Sequence, residues 1–226
     1  MATRPAEVLT PLEDAEVLAA LRLYASLTDG PDLAAPVAQR FVQALRQSSG
    51  DAALEVGVRA GGMSAIFCQL AAALHRGDFM VLSVDPWGCA PYFEAGRDVS
   101  SVLRYDDHFY AVARQLLGRF PNNMLFRLDA DTFLDHLLPH LRWWIAHVAY
   151  PRATPFLSFV YLDGRHDARS VIGEVLRILP YLVDHGCIVV DNVDKCPEAC
   201  QFLSSIPGLT QERLPGHRVA LTRRAA

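Results

Sequence analysis

The chain has 226 residues, 51% hydrophobic and 20% charged, with a formal net charge of −4. That balance describes one sizeable folded domain and excludes both a disordered chain and a polyanion-binding surface. Its 21 basic residues include a single lysine, Lys195, and no basic run, so nucleic acid is not an expected partner.

Five cysteines (68, 89, 187, 196 and 200) form no CxxC pair, and their odd number argues against a closed disulfide framework. Cys68 and Cys187 sit in apolar stretches and read as core residues, while Cys196 and Cys200 lack further zinc ligands nearby. Acids interrupt the opening stretch MATRPAEVLTPLEDAE, and no apolar run reaches the length of a membrane span. A soluble cytoplasmic protein without a signal peptide or membrane contact is therefore expected.

In chain order, residues 1–50 read as a helical segment with amphipathic helices at 12–26 and 33–47, separated by Asp29-Gly30-Pro31. Placed ahead of the first strand, this segment is expected to act as a lid or as the contact of a homodimer. Residues 51–226 then alternate. Strand 53–58 leads through a glycine-rich turn to helix 64–74, and strand 79–84 ends at Asp85. A polar and aromatic stretch, 86–106, precedes helix 108–117, strand 124–128 and helix 131–147. Strand 159–162, a helical span at 168–184 and strand 188–190 follow, and the alternating tail 213–222 reads as an edge strand. Strands alternating with helices predict an α/β, doubly wound, mostly parallel sheet of seven strands, with ligands bound outside the carboxyl ends of the strands.

Two motifs carry the chemistry. LDGRHD at 162–167 and VVDNVD at 189–194 are each an apolar strand running into acid, at Asp163 and at Asp191-Asn192. A helical crossover between them makes the strands parallel, so both acids open on one edge. Two neighbouring carboxylates resist joint ionisation unless a cation sits between them, and all-oxygen ligands suit Mg²⁺ before Ca²⁺ or Mn²⁺. The plainer alternative is that the acids cap the following loops. Near the first strand, Glu55, Gly57 and Gly61 form a turn that lets the backbone approach a ligand, although its spacing is not GxGxxG. Asp85, at the tip of the second strand, is placed to accept hydrogen bonds from vicinal ribose hydroxyls.

With these residues in view, LEVGVRAGG resembles the first motif of the class I S-adenosylmethionine-dependent methyltransferases, and VLSVDPWG resembles their ribose-binding acid. LDGRH with VVDNVD is similar to the divalent-metal-dependent O-methyltransferases of the catechol and macrocin or mycinamicin types. The resemblance spans about residues 50–195. It implies a Rossmann-like fold, S-adenosylmethionine as cofactor, Mg²⁺ or another divalent cation on Asp163, Asp191 and Asn192, and His166 as general base. It also implies contacts to the cofactor from Glu55, Gly57, Gly61, Asp85, Trp87 and Asp163, with Asp131 on the adenine amine. Tyr92 joins Trp87 as a candidate pocket wall, whereas Trp143, Trp144, Asp106, Asp107 and His108 read as structural. Arg165 departs from the usual DGDH spelling and is read as pointing to solvent. The turn is one residue longer than the family form, which weakens an assignment of Ser64 to the cofactor carboxylate.

The expected substrate is a hydroxyl of a small molecule, a phenol or a natural-product sugar, selected by residues 1–50 and 86–106. Alternatives from other classes are a metal-independent N- or C-methyltransferase, a non-catalytic cofactor-binding homologue and a nicotinamide-dependent oxidoreductase.

Overall fold

A computed structural model describes residues 15–28, 30–74, 78–89, 93–94, 97–98, 107–141 and 155–225. Tyr92, Asp106, Trp143 and Trp144, and the outer parts of the predicted helices 12–26 and 131–147, lie outside the described residues. Two helices come first, α1 (Ala15–Tyr24) and α2 (Pro31–Gln47). Gly30, at φ 113°, lets the chain turn between them, and Pro31 begins α2 where its missing N–H would have had no partner. Val37, Phe41 and Leu45 recur at helical spacing and form the buried stripe of α2.

The alternating part contains β1 (Ala52–Val56), α3 (Gly62–Ala73), β2 (Met80–Val84) and a two-residue hairpin of β3 (Phe93–Glu94) and β4 (Arg97–Asp98). Next come α4 (Asp107–Leu117), β5 (Asn123–Phe126) and α5, which starts at Ala130–Thr132 and continues through a π-helical turn, Phe133–Leu137. The chain closes with β6 (Leu157–Leu162), α6 (Ala168–Ile178), β7 (Leu182–Val190), α7 (Pro197–Ser204), β8 (Leu209–Leu214) and β9 (Arg218–Arg223). Seven strands form one sheet in the order β5-β2-β1-β6-β7-β9-β8. The first five run parallel, and β9 is antiparallel to both β7 and β8. This is the α/β doubly wound architecture that the sequence predicts.

Side chains alternate across the central strands and are buried on both faces, as parallel strands under helices require. Leu54, Val160 and Ile188 join the core beneath α5, α6 and α7, while Ala53, Phe159 and Val189 join the core beneath α1, α2 and α3. In that second core Phe41 of α2 stacks on Phe67 of α3 at 4.7 Å between ring centroids. Phe159 meets both edge-on, at 5.4 and 5.3 Å, and Phe67 reaches Tyr161 at 6.4 Å. An aromatic row thus climbs β6 and packs Tyr161 at the carboxyl edge of the sheet.

The C-terminal half differs from the sequence reading in two places. The helical span 168–184 stops at Ile178, because Pro180 lacks a donor and a 3₁₀ turn, Leu179–Tyr181, runs straight into β7. The tail is a hairpin rather than one edge strand. Gly216 and His217 both adopt positive φ (75° and 61°), the geometry of a tight hairpin turn, and β9 inserts between β7 and β8. Of the hairpin's two strands only β8 lies at an edge of the sheet, and its exposed polar residues suit that position.

Gly57 sits where β1 meets β6. Its φ is 91°, and a Cβ there would overlap the Asp163 carbonyl and lie 2.7 Å from the Gly164 nitrogen. Gly57→Ala is expected to destabilise the protein by about 2–4 kcal/mol through backbone strain and overpacking, measured as a lower urea midpoint. An unchanged midpoint would show that the two strand ends do not approach this closely.

Candidate active site

Val56 pairs with Val84 and Leu162, and Leu162 pairs with Val190, so four strands end in one row. The next residues, Gly57, Asp85, Asp163 and Asp191, consequently stand side by side along the carboxyl edge. Backbone N–H groups of Gly57, Asp163 and Asp191 continue the ladder to Val84, Val56 and Leu162 at 2.8–2.9 Å.

Asp85 organises the glycine turn. Its Oδ2 accepts from the backbone N–H of Val58 at 2.9 Å and of Arg59 at 3.0 Å, and its Oδ1 from Trp87 at 2.9 Å. Burial pushes its carboxyl above the usual range. Trp87 is completely buried, its indole N–H donates to the Arg59 carbonyl at 2.7 Å, and its ring packs against Tyr110 at 5.2 Å. Gly61, at φ 89°, is the N-cap of α3, and Gly62 opens the helix. A Cβ on Gly62 would lie 2.7 Å from the Leu27 carbonyl, so the N-terminal segment presses directly on the start of α3.

Below the turn runs a buried polar chain. Ser64 donates to Glu55, the Ser64 and Ser83 hydroxyls lie 2.6 Å apart, and Asn123 Nδ2 donates to Ser83 at 2.8 Å. Burial pushes Glu55 up to about 8, so it holds its proton at neutral pH. Ser64 is fully buried, and its hydroxyl belongs to Glu55 and Ser83.

At the other end of the row, Asp191 is 3% exposed and engaged through both oxygens. Oδ2 accepts from the Tyr161 hydroxyl at 2.6 Å and from Arg218 Nη2 at 2.9 Å, while Oδ1 accepts from the Asn192 N–H at 2.7 Å. Tyr161 also lies 3.4 Å from Asp163 Oδ2. Burial, and then the two carboxylates, hold the Tyr161 phenol well above its ordinary value, so it remains a donor. Arg218 Nη1 donates to the Leu33 carbonyl of α2 at 2.7 Å. Glu55, Gly57, Met63, Tyr161, Asp163 and Arg218 line one cleft, closed from the N-terminal side by Leu27, Thr28 and Leu33.

Other candidates stand apart from the cleft lining. His166 is 8% exposed on the loop after Asp163. Asp131, near the start of α5, accepts from Arg165 and from Arg177, each at 2.7 Å, which holds its carboxyl below the usual range against the opposing effect of burial. Arg165 therefore bridges to Asp131 and is not the solvent-directed residue that the sequence suggests. Asp129 caps α5, accepting from the Thr132 N–H at 3.0 Å. Glu174, buried on α6 near Arg165 and Arg177, is pushed up to about 8 by burial, and neither of its oxygens has a hydrogen-bond partner.

A family model described as a methyltransferase domain matches residues 54–193. The chain belongs to this methyltransferase family. Among solved structures, the methyltransferase is similar to the O-methyltransferase NovP, with a TM-score of 0.63 and 16% identity over 87% of this chain and 81% of that one. Cofactor-bound Rv0187 from MTB gives 0.54 and 17% over 96% and 94%. The SAH-bound methyltransferase PaMTH1 of Podospora anserina gives 0.56 and 12% over 94% and 88%. No curated protein sequence matches the chain. No helix among the described residues is long and apolar enough to cross a membrane.

The enzyme is thus an S-adenosylmethionine-dependent methyltransferase, and its glycine turn, with Glu55 beneath, fits a cofactor laid across the strand tips. The cation set fits less well. Asp163, Asp191 and Asn192 gather at one edge, but both Asp191 oxygens already have donors, one of them a guanidinium. A dication there would meet like-charge repulsion from the guanidinium that already neutralises Asp191. Among the described residues, no three His, Cys, Asp or Glu side chains form a metal-binding group. Sequence reasoning missed Tyr161 and Arg218. Tyr161 lies two residues before Asp163 on one strand, a same-face spacing that could have flagged it, whereas nothing local marks Arg218.

The two raised glutamates set a pH dependence. An unfolded glutamate titrates near 4.3, so between about pH 4.5 and 8 the folded enzyme keeps protons that the unfolded chain has released. Their contribution to stability falls as pH rises through that window. Glu174→Gln is expected to flatten the fall in thermal midpoint and to leave the variant the more stable protein at pH 8, as calorimetry would record. Parallel curves for the two proteins would refute the assignment.

Proposed function

We propose that this methyltransferase transfers the cofactor's methyl group to a hydroxyl of a small molecule. The observation that carries the reading is the shared cleft, in which the acid Asp163 stands beside Gly57 and Glu55, so the acceptor and cofactor ends meet across one strand tip. The likeness to NovP, an O-methyltransferase, supports oxygen as the accepting atom. S-adenosylmethionine supplies an electrophilic sulfonium methyl, which the acceptor oxygen takes in line as the C–S pair returns to sulfur. The chain's own contribution is positioning, exclusion of water and removal of one proton.

Asp163 is the carboxylate that faces the cleft, and we assign it the acceptor's proton. Tyr161 and Arg218 fix the neighbouring Asp191 and so keep the acid end rigid. His166 occupies the family's base position, three residues after Asp163, and is the second reading for the same step. Mg²⁺ assistance is the family's expectation, but the donors around Asp191 do not support it and no step here uses a cation. Leu27, Thr28 and Leu33 make the N-terminal segment one wall of the acceptor pocket, and a phenol or a natural-product sugar is the proposed acceptor class.

Titration calorimetry with S-adenosylmethionine is expected to show saturable binding, and binding of NAD in its place would sink the reading. With labelled cofactor and a panel of phenols and glycosides, Asp163→Asn is expected to lower methyl transfer by about 10²–10⁴-fold and His166→Asn by less than about tenfold. The reverse order would move the base role to His166.

A further inference from the structure

We propose that Arg218 takes the place that related O-methyltransferases give to a divalent cation, and that this enzyme activates its acceptor without a metal at Asp163, Asp191 and Asn192. The inference rests on the reading of the chain as an O-methyltransferase and deepens it.

The arginine is built into the site. Val219 of β9 pairs with Val190 of β7, which brings the next residue back along β9, Arg218, to the position opposite Asp191. Only 4% of either side chain is exposed. Nη2 binds Asp191 Oδ2 at 2.9 Å while Nη1 binds the Leu33 carbonyl at 2.7 Å, a divergent pair of bonds that suits a guanidinium and not an ammonium. Gly216 clears the path. A Cβ there would lie 2.6 Å from Leu33 Cδ2 and 3.0 Å from Arg218 Nη1. The Val193 N–H donates to the His217 carbonyl at 2.9 Å and clamps the hairpin turn to the loop after Asp191. The carboxylate that resemblance assigns to the cation thus has a permanent internal countercharge held by three elements.

This exchange has a chemical consequence. A bound dication offers open coordination positions at which a hydroxyl loses its proton more easily. Arg218 offers none, since a guanidinium donates hydrogen bonds and has no coordination position. The acceptor must bring its own acidity, which favours a phenol, titrating near 10, over an alkyl hydroxyl that titrates well above it. In the step, the phenol oxygen forms the new bond to the methyl carbon, the C–S pair returns to sulfur and the phenolic proton passes to Asp163.

Mn²⁺ titration followed by electron paramagnetic resonance tests the cation directly. The intact enzyme is expected to show no site tighter than about 1 mM, and Arg218→Met to gain one at least about tenfold tighter that Asp163→Asn then removes. A micromolar Mn²⁺ site in the unaltered enzyme, lost in Asp191→Asn, would overturn the proposal. That arm stands even if the Arg218 variant fails to fold. In excess EDTA the enzyme is expected to methylate members of a phenol panel, and transfer that reappears only with added Mg²⁺ would overturn it as well. Binding of S-adenosylmethionine, measured in parallel with and without EDTA, is expected to be equal. Absence of that binding would sink the methyltransferase reading while the Mn²⁺ result still decided the place of Arg218.

Discussion

The buried ion pair of Asp191 and Arg218 fixes the acid end of the active edge, where β6, β7, β9 and α2 come together. Asp191 ends β7, Arg218 begins β9, Tyr161 reaches in from β6, and Leu33 brings the first turn of α2. Each charge compensates the other in a region that water barely reaches, so removing either one would leave an uncompensated buried ion. Because Leu33 also faces the cleft, the pair ties the acceptor wall to the acid end of the sheet. A site meant for methyl transfer depends on such rigidity, since its chemistry is mostly alignment.

The other end of the same edge is held by neutral or capped groups. Glu55 keeps its proton because it is buried under the glycine turn, against the opposing effect of its bond from Ser64, and Asp85 disperses its charge over three backbone N–H groups. Along the row Glu55 is neutral, Asp85 is capped by backbone donors and Asp191 is neutralised by Arg218, while Asp163 faces the cleft. Gly57 sits between the two regimes, and its missing Cβ lets β1 and β6 approach closely enough to place them in one cleft.

Much of this was legible one element at a time. Apolar runs ending in acid marked the tips of β2, β6 and β7, and Gly57 and Gly61 marked the turn after β1, because parallel strands joined by crossovers must all end on one edge. Side-chain partners were not legible in the same way. Asp131 and Arg165 are separated by 34 positions and Asp191 and Arg218 by 27, so neither pair leaves a local signature. The tail is the exception, since Pro215-Gly216 is a local turn signal that the alternation of the flanking residues masked.

The sequence by itself determined the alternation of strands and helices, and hence the sheet and the identity of the residues at its carboxyl edge. Local periodicity and turn chemistry are written residue by residue, and they act over a few positions. Only the tertiary structure decided what neutralises Asp191. That depends on the register of β9 against β7, and a slip of one residue would send Arg218 to the opposite face. The acid tip thus lies within the motif, whereas its countercharge comes from a strand that the motif does not contain.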